Sequence, residues 1–370
     1  MSDARIGLCL DPLDVLFFRD GRPFGESFRA EGGLPNPQVL AGALRTAMLS
    51  RVNFDFRAFA QQRTGNGRIL DVFDKLKAPP EATRCKFRGP WLAMEKGTDI
   101  YPLLPTPQIL VRAGEDEWER SKPLKQEELP GWTDKLRPLW RTGLSDAKSP
   151  GGYLLPSGIE AFLKGGCPID ADFVHSRELY DFDHRTGIAV DSDALTTVKG
   201  EIYGIRFLTL KPKFERLSHN LDAARIVLYA EALPQNGHSA MVQGWLDKLP
   251  IPFGGEGRYV HSRVVNTVKW PSFGEGDTAL WLLATPAIFE SPCNLPKVFA
   301  PVAAASATPF AISGWDVARN GPRATRFAIP AGAVYFTNTG LLPEHGSLCS
   351  NPDRIDEGWG YALRGVWNDA

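Results

Sequence analysis

Proline and glycine set the first limit on what this chain can become. Its 370 residues include 30 prolines and 36 glycines, so a residue that interrupts a helix recurs about every six positions. A helix of average length, about three turns, seldom fits between such interruptions. The intervening segments are mostly short apolar alternations of period two, which predicts a strand-rich fold with few helices. Length alone predicts roughly two domains. With 43% hydrophobic and 23% charged residues, the composition excludes a disordered chain or a coiled coil. The longest apolar run, Ala279 to Phe289, is broken by Thr285 and Pro286 and falls well short of the roughly 20 residues of a membrane-spanning helix. No signal-peptide-like run occupies Met1 to Asp14, and the default expectation is a cytoplasmic protein.

Five scattered cysteines, Cys9, Cys85, Cys167, Cys293 and Cys349, form no CxxC pair, so neither a disulfide framework nor a zinc site is expected, nor any other cofactor. A net charge of −1 lacks the basic excess of a typical nucleic-acid binder. Any polyanion contact must therefore rest on local clusters.

The clearest helix begins with Asn36 as N-cap and Pro37 at the first helical position and runs to about Arg51. Val39, Leu40, Ala43, Leu44, Ala47 and Met48 make its apolar face, and Gln38, Gly42, Arg45 and Leu49 lie together opposite. A helical glycine costs about 0.5–1 kcal/mol relative to alanine. Gly42 therefore marks either a close approach to its backbone by a ligand or tight packing on a strand. Ile6–Leu10 and Val15–Phe18 read as strand pieces, Phe87–Leu104 as a hairpin, and Tyr180–Leu210 as a long hairpin. Arg225–Glu231, Leu280–Ala284 and Val334–Thr337 read as strands. Ser239–Leu249 reads as a second helix with Met241, Trp245 and Leu249 on one face. The stretch from Phe59 to Gly166 is irregular. These elements predict an α+β fold of antiparallel sheets with a helix on one face.

Catalytic motifs are few. The chain has no GxSxG elbow and no HExxH pair, and its six histidines stand apart. His184 lies between Asp181, Asp183 and Arg185, which suits either general acid–base work or a solvated surface histidine. Asp11 and Asp14 sit three apart in a strand-and-turn context. Three groups suit anion binding. In Phe253-Gly254-Gly255-Glu256-Gly257-Arg258, three glycines in four positions let successive N–H groups face one concavity, with Arg258 and His261 at the rim; a tight turn with a solvated arginine is the competing reading. Arg19 and Arg22 flank the Asp20-Gly21 turn, and Arg185 and Thr186 enter the strand Ile188–Val190, offering groups suited to phosphate and sugar.

Taken in order, several segments resemble one family: the RAMP-superfamily subunit of type III-B CRISPR effector (Cmr) complexes that holds the 5′ handle of the guide RNA (crRNA). The similarity is carried by Asp11-Pro12-Leu13-Asp14 through Phe17-Phe18-Arg19-Asp20-Gly21-Arg22-Pro23-Phe24 and by Pro35 to Arg45. It continues through Arg185 to Asp191, Gly254 to Arg258, Gly314-Trp315-Asp316 and Pro330 to Phe336. Gly358-Trp359-Gly360 and Gly365-Val366-Trp367 complete it. This resemblance implies two ferredoxin-like (RRM-like) βαββαβ domains, 1–215 with long loop and hairpin insertions and 216–370 carrying the glycine-rich loop.

The same resemblance implies an adaptor without nuclease chemistry of its own. Its expected partners are the crRNA 5′ handle, the large polymerase/cyclase-like subunit and a backbone RAMP subunit, and no membrane. The expected RNA surface comprises Arg19, Arg22, Gly42, Arg45, Arg185, Thr186, Gly254, Gly255, Gly257, Arg258 and His261, with bases splayed onto exposed aromatics. If Phe17 and Phe18 are in a strand, they point to opposite faces, so only one can line that surface. The rival expectation is a metal-independent endoribonuclease of the same superfamily that processes crRNA precursors with His184 or His261.

Overall fold

The structure, a computed structural model, describes residues 5–18, 33–62, 69–114, 117–125, 128–141, 143, 147–190, 193–194, 196–215, 221–235, 237–272, 279–290, 300–316, 321–338 and 346–367. Arg19 and Arg22 lie outside the described residues. The elements that position the site, in chain order, are β1 (Ile6–Pro12), α1 (Pro37–Arg51), β2 (Lys86–Lys96), β3 (Asp99–Pro102), β4 (Lys122–Pro123), β5 (Leu139–Trp140) and α2 (Pro156–Leu163). They continue with β6 (Tyr180–Val190), β7 (Thr197–Leu210), β8 (Arg225–Leu233), α3 (Ser239–Leu246), β9 (Leu249–Pro252), β10 (Tyr259–Val265) and β11 (Thr267–Val268). The last are β12 (Ala279–Leu283), β13 (Ala303–Ala305), β14 (Val334–Thr337), α4 (Pro352–Glu357) and β15 (Ala362–Gly365). This is the expected α+β class.

Helix α1 starts as its sequence dictates. Asn36 is extended and its side chain accepts the Val39 N–H, with Pro37 in the first turn where no intrahelical donor is needed. Leu40, Ala41, Leu44, Ala47, Met48 and Leu49 are buried, so Leu49 belongs to the core face and not to the expected polar one. In α3, Val242 and Leu246 are buried and Met241 is exposed. The apolar stripe is therefore shifted by one residue from the expected one.

The first sheet has the order β9-β10-β1-β8-β2-β3-β11, antiparallel throughout except for the parallel β3–β11 pair. Strand β1 lies between β8 and β10, with Ile6 opposite Ala232 and Gly7 opposite Val265. If β1, β2, β8 and β10 are counted first to fourth, α1 joins the first pair and α3 the second. The sheet then reads fourth, first, third, second. The second sheet, β13-β14-β12-β15, repeats that order when its strands are counted along the chain, with α4 before the last strand.

Strands from both sides of the expected boundary at residue 215 share the first sheet, so sheet membership and chain order divide the molecule differently. The glycine-rich loop was expected on the C-terminal unit. It is instead the β9–β10 turn of the first sheet, because β10 pairs along its length with β1.

Alternation in β1 separates two cores. Ile6, Leu8 and Leu10 face α1 and α3 with Leu44, Met48, Val242 and Leu246. Cys9 faces the other way, with Trp91 and Tyr229, toward Leu280, Leu282, Val334 and Phe336 of the second sheet. The buried Trp91 indole donates to the Ala284 carbonyl at 2.8 Å, satisfying a donor that would otherwise cost a few kcal/mol in this apolar layer. No helix among the described residues is long and apolar enough to cross a membrane.

Candidate functional site

Three separate stretches of sequence meet around one aromatic ring. Strands β6 and β7 pair from Tyr180 opposite Leu210 to Val190 opposite Thr197. The base of this hairpin is fixed to the segment after β1 by paired backbone bonds, Leu16 N–H to Leu208 C=O at 2.9 Å and Leu208 N–H to Leu16 C=O at 2.7 Å. Alternation then places Phe207 beside Phe17, their ring centroids 5.5 Å apart. Both rings are buried, in a small cluster with Val15. Phe18 points the opposite way, as a strand requires, and packs edge-on against Phe253 in the main core.

Two cations converge on Phe207. The Arg185 guanidinium lies 4.9 Å from its centroid and the Arg258 guanidinium 4.8 Å, geometry worth about 0.5–1 kcal/mol each where solvent reaches. Each holds one carboxylate: Arg185 donates to Asp183 at 2.8 Å and Arg258 to Asp14 at 2.7 Å. Those carboxylates are solvated, with side-chain exposures of 41% for Asp183 and 61% for Asp14. Such pairs contribute about 0–1 kcal/mol, so a competing anion can displace them. The Nε of Arg258 is buried and finds no hydrogen-bond partner among the described residues. Asp14 is the carboxylate paired with this arginine.

The glycine turn packs directly against this cluster. Gly254 has φ +90°, and a Cβ there would lie 2.4 Å from the Phe17 carbonyl oxygen, so only glycine fits. Gly255 donates its N–H to that same oxygen at 2.8 Å. Its amide is therefore committed to the fold, which corrects the expectation of three convergent free amides. Residues Gly254 to Gly257 are all exposed, and a Cβ at Gly257 would meet open space. The turn thus offers close backbone access, with fewer donors than expected.

The other candidates separate from this cluster. Arg45 is folded under the chain: its guanidinium lies 5.3 Å from the Phe87 ring and its Nη2 makes a long 3.5 Å contact with the Cys85 carbonyl. Burial pulls its pKa below the ordinary arginine value, opposed by Glu357, Cys85, Asp356 and Asp353. Arg45 therefore lies among α1, β2 and the carboxylates of α4, apart from the Phe207 cluster. Gly42 is exposed, and among the described residues nothing lies within 4 Å of a Cβ there, so packing on a described strand does not account for it. Thr186 is exposed one residue beyond Arg185 and opposite Gly204. His261 is half-buried in β10, opposite Asp11 and Pro250.

Sequence reasoning missed the ring that organises the site. Ile205 and Phe207 read only as alternating strand positions, and nothing local marks Phe207 as a platform for cations that lie 22 and 51 residues away along the chain. It also missed a second cluster on the first sheet, in which Arg225 and Arg263 each pair with both Asp11 and Glu95. Asp11 is thus an ion-pair partner of both arginines. No group of three or more His, Cys, Asp or Glu among the described residues could hold a metal ion.

A chain of the Type III-B Cmr-beta complex bound to cognate target RNA and AMPPnP (state 1) superposes with a TM-score of 0.51 at 16% identity. The match covers 89% of this chain and 86% of that one. A chain of Type III-B Cmr-beta bound to cognate target RNA gives 0.50 at 15% identity, covering 90% and 86%. At such identities the likeness is one of fold. No curated protein matches the sequence. The sequence model of the CRISPR-associated protein family Cas_Cmr3 matches residues 8–367. A match that takes in both sheets, the arginine cluster and the glycine turn shows that this chain belongs to the Cas_Cmr3 family and is a Cmr-complex subunit.

Proposed function

We propose that this chain is the non-catalytic subunit of a type III-B effector complex that holds the 5′ repeat-derived handle of the guide RNA. In this reading it also joins the large polymerase/cyclase-like subunit to the backbone RAMP subunit. The observation that carries the reading is the convergence of Arg185 and Arg258 on Phe207 beside the exposed Gly254–Gly257 turn. Each guanidinium lies over the Phe207 ring and is neutralised by a solvated, displaceable carboxylate. A phosphate entering the site replaces Asp14 or Asp183 with a stronger, bidentate acceptor. The exposed turn lets a sugar–phosphate backbone approach closely, and unpaired bases remain free to stack elsewhere.

The architecture supports the same reading. Both sheets have the fourth-first-third-second order of a ferredoxin-like unit, the first with both of its helices. The histidines of the endoribonuclease alternative lie apart in the fold: His184 faces Arg206 across the β6–β7 hairpin, whereas His261 lies in the first sheet.

Fluorescence anisotropy with a labelled handle RNA tests the proposal on the full-length protein. The double variant Arg185→Ala/Arg258→Ala should bind at least about tenfold more weakly, with a log–log salt slope shallower by about two. Unchanged affinity and slope would overturn the assignment. Site-specific cleavage of a repeat RNA, abolished by His184→Ala or His261→Ala, would replace the adaptor with the enzyme.

A further inference from the structure

We propose a second single-stranded nucleic-acid contact, separate from the Phe207 cluster, on the ribbon formed by β4 and β5, with Trp140 as its stacking platform. Lys122 pairs with Trp140 and Pro123 with Leu139. Pro123 is buried and Leu139 packs on the core shared by the two sheets. Alternation therefore turns Lys122 and Trp140 together toward solvent, as directly opposed residues whose Cβ atoms lie about 5 Å apart. Trp140 is 58% exposed. More than half of this indole stands open to solvent, and that surface is available to a base.

The platform is held still. Leu124 donates to the Pro138 carbonyl at 3.1 Å, and Arg137 donates to the Val302 carbonyl at 2.7 Å. The second of these bonds ties the ribbon to the segment entering β13, at the edge of the second sheet. Trp132, in the same stretch, is 41% exposed and its indole N–H is closed on the Leu136 carbonyl at 3.0 Å. Its polar edge is satisfied internally, which leaves its π surface as the group on offer.

Charge selects the occupant. Residues 120–141 hold six Lys and Arg against three Asp and Glu, a local balance of +3 in a chain whose overall charge is −1. Lys122, Lys125 and Lys135 are exposed. Two open indoles among cations complement bases and phosphates of an unpaired strand, since stacking on aromatics and phosphate neutralisation together define sequence-tolerant single-strand binding. An apolar protein partner would instead call for an uncharged surround of the tryptophan.

The test uses the full-length protein and a fluorescein-labelled 20-nucleotide oligouridylate, which carries no handle sequence, so its result stands apart from the fate of the Phe207 site. Anisotropy titrations at several salt concentrations would compare the parent chain with Trp140→Ala, Trp140→Phe and Lys122→Ala, each checked for an unchanged melting temperature. Trp140→Ala should weaken binding about tenfold, Trp140→Phe should stay within about twofold of the parent, and Lys122→Ala should reduce the salt slope by about one. Equal affinity and slope in the Trp140→Ala and parent chains would overturn the proposal. So would a Trp140→Ala protein that keeps its RNA affinity and loses association with another Cmr subunit.

Discussion

Two arrangements of arginine and carboxylate lie at the same end of β1. In the first, Asp11 and Glu95 are 18% and 9% exposed, and each is paired with both Arg225 and Arg263. Every charge has two opposite neighbours. Cys9 lies beneath, its thiol 3.0 Å from Nη2 of Arg263 and pushed well above its ordinary pKa chiefly by burial. In the second, only three residues further along the chain, Asp14 pairs, among the described residues, with Arg258 alone and is mostly in water. The same residue types thus make a closed ring where the sheet encloses them and an exchangeable pair where it does not. Burial and the number of partners, not residue identity, decide which arginine can accept a new anion.

The largest expected effect comes from breaking the closed ring. Glu95→Ala leaves two guanidiniums facing one carboxylate, and urea denaturation should show a loss of about 2–3 kcal/mol, reduced from the fully buried case because Arg225 is half exposed. Maleimide should then label Cys9, which the parent chain protects. A loss below about 1 kcal/mol would place both clusters in the same class. Phe207→Leu comes next: it removes the ring beneath both Arg185 and Arg258 and should weaken handle-RNA binding by about 1–2 kcal/mol, with Phe207→Tyr restoring it. Failure of Tyr to rescue would make Phe207 a packing residue only. The smallest effect has the opposite sign. Asp14→Asn removes the internal competitor of Arg258 and should tighten RNA binding by about 0.5 kcal/mol in anisotropy titrations, with little change in stability. Weaker binding would show that Asp14 positions the arginine instead of occupying it.

What the sequence disclosed was local. Asn36 and Pro37 announced α1, period-two alternation announced the β6–β7 hairpin, and three glycines announced the β9–β10 turn, because each signal is complete within a few residues. What stayed hidden depends on partners far away. Gly254 is glycine because the Phe17 carbonyl presses on it, and Arg45 is half-buried over the Phe87 ring and near the carboxylates of α4, more than 300 residues later. Phe17 and Phe18 were placed on opposite sides by strand geometry alone, yet both proved to be interior, since the β6–β7 hairpin covers the side that was expected to be open.

The position of β1 also dictates when this protein can exist during synthesis. Both of its neighbours, β8 and β10, emerge from the ribosome more than 200 residues after it. At about 5–20 residues per second, a nascent chain carries β1 with both edges unpaired for roughly 10–45 s. Over that interval β2 and β3 can pair, and α2 and the β6–β7 hairpin can form, while the apolar first strand waits. A chain that stops before Arg225 is therefore not a smaller version of this molecule. It is one whose central strand has no place to go, an exposed edge of the kind that chaperones must shield.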